Sequence, residues 1–331
     1  MKNNYDFVAV GETTMDAFIR LKDASVHCDI NNINCQICMA FGAKIPYESV
    51  TEVPAVGNAA NASVAASRLG LKSALVANVG KDRNGETCLK SLKEDGVSTE
   101  FINISPDKPT NYHYIIWFES ERTILQKHSD FDYKLPKLGK VKWVYLTSLG
   151  EKSLPLHAKL IDYLRQNPET KLAFQPGIFQ IKMGVEKLRE IYARSEVFFS
   201  NVEEAQMILD TNERDIRKLS EGIHALGPRM VSLSDGTKGA YLYLEGELWH
   251  IPMYPDIAAP LDRTGAGDAF SSTFAVGLVL GLSPTEALTW GPINSMSVVQ
   301  EIGAQKGLLT RAKLEEYLQN SPAEYKTKKI N

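Results

Sequence analysis

The residues best suited to chemistry lie between Asp262 and Asp268, in a segment that reads Asp-Arg-Thr-Gly-Ala-Gly-Asp and precedes a long apolar run. The small residues Gly265, Ala266 and Gly267 predict a bare turn that leads directly into a helix. The first N–H groups of a helix have no partner within it, and the helix dipole makes this end positive. The segment therefore predicts a binding site for an anion such as a phosphoryl group.

Asp268 falls in the first turn of this predicted helix, beside the anion site. A carboxylate in that place can accept a proton from a hydroxyl group as it attacks phosphorus. An acidic residue in a first turn can also do no more than complement the helix dipole. Taken alone, the segment is equally consistent with phosphoryl transfer and with a glycine-rich turn that has only a structural role.

The composition limits the class of protein. The chain has 331 residues, 44% of them hydrophobic and 23% charged, which suits one large α/β domain, with or without a small appendage. A net charge of −3 gives no general attraction to nucleic acid or to anionic membranes. The start of the chain lacks the pattern of a signal peptide, and the longest apolar stretch, residues 269–282, is too short to cross a bilayer. We expect a cytoplasmic protein with no membrane or nucleic-acid partner.

Three of the four cysteines lie close together near the start of the chain. Four cysteines in a chain of this length do not predict a disulfide framework, and a reducing compartment is consistent with them. Cys35 and Cys38 have the spacing of zinc ligands, with His27 and Cys28 nearby. A second such pair is missing, so the sequence favours half-buried strand cysteines over a metal site. The fourth cysteine, Cys88, lies apart from these three in the sequence.

Short apolar runs alternate with segments of helical periodicity along most of the chain. This alternation predicts βαβ units, and hence a mostly parallel sheet with helices on both faces. The predicted strands cover residues 7–10, 73–79, 143–146, 172–174, 197–199 and 230–233. The predicted helices cover residues 58–69, 84–94, 154–165, 185–193, 202–209, 265–281 and 284–300, with a hairpin at 239–251.

Two segments, residues 15–53 and 111–127, instead alternate apolar and polar residues. Such alternation is typical of strands with one buried face, and we expect antiparallel strands here. Strands that project from an α/β body predict a small lid, from about residues 13–55 and 110–128, over a site at the carboxyl edge of the sheet.

The segment Asp262 to Phe270 resembles the C-terminal signature of the PfkB/ribokinase family of carbohydrate and nucleoside kinases. Four further blocks resemble that family in the same order along nearly the whole chain: residues 53–70, 79–85, 201–204 and 236–239. The resemblance implies a single kinase domain over residues 1–331 with a ribokinase-like three-layer α/β/α sandwich, a mostly parallel sheet and a small β-strand lid.

The resemblance also implies an activity. It makes Asp268 the general base and the amides of Gly265, Ala266 and Gly267 an anion hole for the γ-phosphate of ATP. The acceptor would be a hydroxyl group of a small sugar or sugar acid, with a nucleoside kinase as the alternative. A catalytically silent member that binds a sugar or nucleotide as a sensor is a further alternative.

Ligand-binding residues follow from the same resemblance. It implies that substrate hydroxyl groups are bound by Asp16, Gly57, Asn58 and Asn61. It implies that the nucleotide is bound by Asn201, Ser234, Gly236, Thr237, Gly239 and, if the helix turns it inward, Asn294.

Two cation sites are implied as well. Glu204 would hold Mg²⁺ through water, although Asn201 and Glu204 also have the spacing of a helix capping pair. Asp262 and Thr264 resemble positions that line a K⁺ site in some family members, with backbone carbonyl groups near Gly303 and Ala304 as its other half.

The sequence departs from the family pattern at two positions. Val56 stands where the family often has a glycine, so either the backbone there avoids positive φ or the loop is reshaped. Pro292 replaces an asparagine often found near adenine. Phe18, Phe41 and Phe179 could form a slot for a nucleoside base, but packing roles are equally consistent with them.

Other nucleotide-binding classes lack their motifs in this sequence. No Gly-x-Gly-x-x-Gly follows the first predicted strand, and no Walker motif occurs, which disfavours a dinucleotide-dependent oxidoreductase and a Walker-type nucleotidase. The exposed edges of the predicted lid could pair across a two-fold axis, so we also expect a homodimer through the lid strands.

Overall fold

The computed structural model describes residues 4–29, 35–119 and 121–330. Within them the strands are β1 (Asn4–Val10), β2 (Thr14–Leu21), β3 (Ser25–His27), β4 (Gln36–Cys38), β5 (Tyr47–Val56), β6 (Ser73–Val76), β7 (Asn78–Gly80), β8 (Asn103–Ser105), β9 (Tyr112–Phe118), β10 (Glu121–Leu125), β11 (Lys140–Leu146), β12 (Lys171–Phe174), β13 (Val197–Asn201), β14 (Met230–Ser234), β15 (Ala240–Leu244), β16 (Glu247–Ile251) and β17 (Lys328–Ile330). The helices are α1 (Asn58–Arg68), α2 (Arg83–Glu94), α3 (Leu154–Gln166), α4 (Ile178–Met183), α5 (Val185–Arg194), α6 (Val202–Leu209), α7 (Ile216–His224), α8 (Ala266–Val279), α9 (Pro284–Val298) and α10 (Arg311–Gln319).

A nine-stranded sheet forms the centre of the structure, in the order β17-β16-β15-β14-β13-β12-β11-β1-β6. The strands from β14 to β6 are all parallel, and β15, β16 and β17 continue the sheet in antiparallel pairs. The carboxyl ends of the parallel strands therefore meet at one edge, where α/β sheets commonly bind ligands.

The core lies on both faces of this sheet, because successive side chains of a strand point to opposite sides. In β1, Phe7 and Ala9 pack with α1, α2, α8, α9 and α10. Val8 and Val10 pack on the other face with α3, α5, α6 and α7. The result is the predicted three-layer α/β/α sandwich with a mostly parallel sheet.

The predicted elements are found with small shifts at their ends. All seven predicted helices and the hairpin are present, whereas the helices α4, α7 and α10 were not predicted. The predicted strand 73–79 is two strands, because β6 joins the main sheet and β7 leaves it to pair with β8.

The two alternating segments form a separate four-stranded sheet in the order β10-β9-β2-β5, which we call the small sheet. The prediction of antiparallel strands is wrong for its central pair, since β2 and β9 run parallel. Alternation fixes which side chains share a face but not the direction of the neighbouring strand. The face with Asp16 also carries Phe18, His113, Trp117 and Arg122, because these positions match in register.

The cysteines differ from the prediction. Cys28 and Cys35 form a disulfide, so neither offers a thiolate to a metal ion. Cys38 is half-buried in β4, as predicted, and Cys88 is buried in α2. In the described residues no group of three or more histidine, cysteine or acidic side chains is placed to hold a metal. Over the same ranges, no helix combines the length and apolar character needed to span a bilayer.

Candidate active site

Helix α8 begins where the sequence predicted an anion site. Gly265 precedes its first residue with a φ of 82°, a left-handed conformation that favours glycine. A Cβ on Gly265 would lie 2.3 Å from the Cβ of Ala304, so a side chain has no room there. The turn therefore requires glycine both for its backbone conformation and for its close packing against the loop that follows α9.

The first amides of α8 are available to a ligand. Ala266 N donates a long bond of 3.4 Å to Arg263 O, and Ala269 N is the first to bond within the helix, to Gly265 O. Among the described residues, no acceptor receives the N–H groups of Gly267 or Asp268. A Cβ on Gly267 would meet nothing within 4 Å, so this side of the helix faces open space. Gly265 thus supplies the turn, and the amides beyond it lie where the anion site was predicted.

Two amide side chains hold the Asp268 carboxylate. Asn61 Nδ2, from α1, donates to Asp268 Oδ2 at 2.8 Å. Gln175 Nε2, which follows β12, donates to Asp268 Oδ1 at 3.2 Å. One donor on each oxygen fixes the plane of the carboxylate. Asn61 therefore contacts Asp268, whereas the sequence assigned it to the substrate.

A second layer of hydrogen bonds fixes how these two amides are turned. Gln305 Nε2 donates to Asn61 Oδ1 at 3.0 Å and to Ala55 O at 2.7 Å. Tyr145 OH donates to Gln175 Oε1 at 2.6 Å. Because both amide oxygens already accept a bond, the amide nitrogens must face Asp268.

The surroundings of Asp268 act on its pKa in opposite directions. Burial raises the pKa of Asp268, and the hydrogen bonds from Asn61 and Gln175 lower it by a smaller amount. The residue as a whole is partly accessible, whereas its carboxylate is surrounded by protein atoms; the burial of the carboxylate determines the direction. The carboxylate is thus more basic than that of a surface aspartate, as suits a proton acceptor.

Asn201 and Glu204 form the capping pair that the sequence allowed. Glu204 N donates to Asn201 Oδ1 at 2.7 Å, and Asn201 N donates to Glu204 Oε2 at 2.9 Å. Burial raises the pKa of Glu204, and the negative charge of Asp268 raises it further. The two carboxylates are therefore near enough to repel each other. A cation between them would relieve that repulsion, so the residues fit a hydrated Mg²⁺ held by Glu204.

A cavity of about 290 Å³ adjoins the start of α8. Its wall includes four residues of the predicted nucleotide site and two of the predicted anion hole: Ser234, Gly236, Thr237, Gly239, Ala266 and Gly267. The rest of its lining is largely apolar: Met253, Pro260, Phe270, Pro292, Met296 and Val299. A cavity with unpaired helix amides at one end and a largely apolar wall has the composition of a nucleotide site.

Asn294 does not line this cavity, and its expected contact with the nucleotide is wrong. The side chain is fully buried, where Nδ2 donates to Thr273 Oγ1 at 2.7 Å and Oδ1 accepts from Leu309 N at 2.9 Å. Both ends of the amide are therefore used in packing α9 against its neighbours. Pro292, on the same helix, does face the cavity.

Asp16 lies on the small sheet beside a histidine that the sequence reasoning missed. His113 is its register partner on β9, and His113 Nδ1 lies 3.4 Å from Asp16 Oδ1. The side chains are 12% and 13% exposed, yet Asp16 Oδ1 and His113 Nε2 have no hydrogen-bond partner among the described residues. Both atoms thus remain able to bond a ligand.

A second acid and histidine lie next to this pair. His128 contacts the His113 ring at 5.1 Å between centroids, and its Nδ1 lies 2.9 Å from Glu12 Oε2. Tyr133 OH donates to the other oxygen of Glu12 at 2.7 Å. The Glu12 carboxylate beside it raises the pKa of His128, and burial opposes this. We call this group of polar side chains the substrate-side cluster, after the substrate contact predicted for Asp16: Glu12, Asp16, His113, His128 and Tyr133.

The loop before α1 resolves one departure from the family pattern. Gly57 has a φ of 102°, and a Cβ there would lie 3.1 Å from Glu12 O. Val56 avoids positive φ, and Ala55 instead adopts a φ of 58°. The Ala55 N–H points to Cys88 Sγ at 3.2 Å, which helps hold this turn. Asn58 is the first residue of α1 and lies next to Gly57.

Asp262 and Thr264 do not fit a K⁺ site. Asp262 is fully buried, and Arg122 Nε lies 3.0 Å from its Oδ1. The same oxygen accepts from Thr264 N at 2.8 Å, and Oδ2 accepts from Gly303 N at 2.9 Å. A guanidinium beside the carboxylate would repel a second cation. The carboxylate already has its counter-charge from within the chain.

Sequence reasoning missed the residues that hold the carboxylates of Asp268 and Asp262. Gln175, Gln305 and Arg122 were not among the predicted site residues. Gln305 lies in an irregular segment that carries no periodicity, so no local signal marks it. His113 and Arg122 lie in the segment predicted as alternating strands, but only the strand register, which the sequence does not give, places them on the face of Asp16.

The fold and this site together define a small-molecule kinase. The model of the pfkB family of carbohydrate kinases matches residues 27–311, and the chain belongs to that family. It is 26% identical to a ribokinase of Bacillus subtilis over 269 residues, which are 79% of this chain and 87% of the relative.

Solved structures show the same fold. The ribokinase of Arabidopsis thaliana in complex with ribose and ATP has a TM-score of 0.79 and 18% identity, covering 96% of this chain and 99% of that chain. A nucleoside kinase of Methanocaldococcus jannaschii, described as an archaeal member of the ribokinase family, has a TM-score of 0.77 and 20% identity over 95% and 98%. The family resemblance, the ribokinase-like fold and the class of ATP-dependent carbohydrate kinase are thereby confirmed.

Proposed function

We propose that this kinase transfers the γ-phosphate of ATP to a hydroxyl group of a small sugar or sugar acid, with Asp268 as the general base. The observation that carries the proposal is the pairing, within one helical turn, of a buried carboxylate and free helix amides. The carboxylate is held by Asn61 and Gln175, and the amides of Gly267 and Asp268 have no acceptor among the described residues.

The proposed step balances without a covalent intermediate on the protein. The substrate hydroxyl oxygen attacks the γ-phosphorus, and its proton passes to the Asp268 carboxylate. The bond between the γ-phosphorus and the oxygen that bridges it to the β-phosphate breaks, and ADP leaves. The amides at the start of α8 would stabilise the charge on the transferring group, which is the main requirement of phosphoryl transfer.

The cavity beside α8 is the proposed ATP site. Ser234, Gly236, Thr237 and Gly239 would contact the nucleotide, and the apolar wall around Phe270 and Pro292 would contact the adenine ring. Mg²⁺ held through water by Glu204, near Asn201, would neutralise phosphate charge. Pro292 has no side-chain hydrogen bond to offer, so we expect loose selectivity for the base of the nucleotide.

The substrate-side cluster supports a sugar over a nucleoside. Its carboxylates and imidazoles suit a molecule rich in hydroxyl groups, with Asp16 and the loop at Gly57 and Asn58 as the proposed contacts. The phenylalanines considered for a base slot do not form one. Phe18 is buried, Phe41 is fully exposed, and Phe179 packs edge-on against His128.

The test is a substrate panel. ATP consumption with Mg²⁺ is measured for sugars, sugar acids and nucleosides, together with thermal stabilisation by each compound without ATP. We expect turnover and stabilisation with at least one sugar or sugar acid. A ligand at 100 times its Kd adds about 2.7 kcal/mol of stability, which is readily seen in a melting curve.

Two results would contradict the proposal. Turnover and stabilisation by nucleosides alone would favour a nucleoside kinase. Binding of a sugar without ATP consumption across the panel would favour the silent sensor.

The variant Asp16→Asn tests the proposed contact between Asp16 and the sugar, because it keeps the size of the side chain and removes the charge. We expect a higher KM for the sugar and little change in the KM for ATP.

We also propose that the small sheet pairs with a second copy of this chain. Its edge strands are β5 and β10, and exposed apolar side chains lie on it at Tyr47, Val50 and Tyr114. An open edge with apolar neighbours is a surface that a two-fold contact would cover.

A further inference from the structure

The carboxylate of Asp262, three residues before Gly265, is fully buried. It accepts hydrogen bonds from Thr264 N and Gly303 N, on opposite oxygens. It therefore joins the segment that enters α8 to the loop that packs against Gly265 through Ala304. Burial of a carboxylate is strongly unfavourable unless its charge is compensated, so a carboxylate that fixes two loops needs a counter-charge.

Arg122 provides that compensation from the small sheet. Its side chain is 10% exposed and reaches out of β10, so that Nε lies 3.0 Å from Asp262 Oδ1. Nη2 donates to Leu261 O at 2.6 Å. The Nε–H is not aimed well enough for a formed hydrogen bond, so the contact with Asp262 is chiefly electrostatic.

Trp117 fixes the direction of the guanidinium. Arg122 lies over its ring at 4.8 Å, a distance at which a cation is attracted to the π face. Burial lowers the pKa of Arg122 and Asp262 opposes this; an arginine remains protonated near neutral pH. The positive charge is therefore permanent and held in place from two sides.

We propose that Arg122 is the built-in cation of the phosphoryl-transfer loop: it holds Asp262, keeps the amides of Gly267 and Asp268 in position, and makes the kinase independent of K⁺. This rests on the proposed function. Arg122 acts as a positioning residue, since its contacts are with Asp262, Leu261 and Trp117 and not with the cavity. It also ties the small sheet to the start of α8.

The first arm of the test uses the wild-type kinase in K⁺, Na⁺ and choline chlorides at equal ionic strength. We expect kcat to agree within about twofold, because the site beside Asp262 already contains a charge. Activation by K⁺ of tenfold or more would overturn the proposal while leaving the kinase function intact.

The second arm removes the guanidinium. We expect Arg122→Met to lower the melting temperature by several degrees and kcat by at least tenfold, with the KM of the sugar within about twofold. K⁺ or methylguanidinium should raise the melting temperature of this variant selectively, and with it kcat. An unchanged melting temperature and kcat, or no selective recovery, would contradict the proposal.

The chain offers a matched control. Arg20 lies over the same Trp117 ring at 5.1 Å, but it pairs with Glu48 on the surface, where both side chains are about half exposed. We expect Arg20→Met to behave as wild type in every salt. The same loss from Arg20→Met as from Arg122→Met would assign the effect to packing on Trp117 and overturn the proposal.

Melting curves separate this inference from the proposed function. They report the cation preference of the variant even if no compound of the panel is phosphorylated.

If Arg122→Met does not fold, Arg122→Lys keeps the charge without the planar fork, and we expect it to remain independent of K⁺. The double variant Arg122→Met with Asp262→Asn should recover part of the stability lost in the single variant; a further loss would contradict the pairing.

Discussion

At the scale of single residues, two opposing effects act on the pKa of Asp268. Burial makes its carboxylate more basic, and the amides of Asn61 and Gln175 stabilise the charged form. Both effects suit the role of proton acceptor that we propose for Asp268. Gln305 and Tyr145 matter because they decide which end of each amide faces the carboxylate.

The pH profile tests this balance. A general base must be ionised, so kcat is expected to fall as pH falls through the pKa of Asp268. Gln175→Leu or Asn61→Leu removes a bond that lowers this pKa, so the acid limb should move to higher pH, with kcat retained above it.

The control for the pH profile is Asn320→Leu, which removes an exposed amide bonded to Glu316 O at the end of α10. We expect its acid limb to match that of the wild type. Acid limbs that stay in place in both Asn61→Leu and Gln175→Leu would show that these amides do not set the pKa of the base.

At the scale of elements, the start of α8 shows which features the sequence predicts and which it leaves open. The glycine-rich turn, the helix and the first-turn acid are all local, so residues 262–281 were sufficient to predict them. The partners of Asp268 come from α1 and from the end of β12, and the loop after α9 supplies Gln305, which orients Asn61. They are distant in sequence, and nothing in a single sequence joins Gln305 to Asn61.

The two glycines of this turn are expected to differ in what they do. Gly265→Ala forces a left-handed conformation on a non-glycine residue and a contact of 2.3 Å with Ala304, so we expect a loss of about 1–3 kcal/mol or more of stability together with activity. In Gly267→Ala the new methyl group meets no atom of the described residues within 4 Å outside its own helix, so stability should be unchanged or slightly higher.

The activity of Gly267→Ala separates the two roles. Its methyl group would project into the space where the phosphoryl group approaches, so we expect reduced turnover with an intact fold. Unfolding by denaturant and ATP consumption measure the two quantities. Equal loss of stability in both glycine variants, or full activity in Gly267→Ala, would count against the anion site.

At the scale of the whole molecule, the parallel sheet brings the site together. Glu12, Gln175, Asn201 and Ser234 each lie at or just beyond the carboxyl end of a parallel strand, so they share one edge. This arrangement followed from the apolar runs alone. The parallel direction of β2 and β9 could not be predicted in this way, because alternation does not specify how strands pair. The disulfide could not be predicted either, because a cysteine count does not specify which cysteines are bonded.

The proposed homodimer is tested by sedimentation velocity at micromolar concentration. We expect a dimer for the wild type and a monomer for Val50→Lys, which places a charge on the exposed surface of the small sheet. Ile104→Lys is the control, since Ile104 is similarly exposed but lies on β8. A monomeric wild type, or a Val50→Lys dimer as stable as the control, would contradict the proposal.

The most direct test of the central claim compares the wild type with Asp268→Asn and Asp268→Ala, using the best substrate of the panel. Transfer of labelled γ-phosphate gives kcat, and calorimetry gives the affinities for the sugar and for ATP. We predict that kcat falls by about 10²–10⁴ in both variants, while both affinities stay within about threefold. A variant that keeps more than about a tenth of the wild-type kcat would show that Asp268 is not the base.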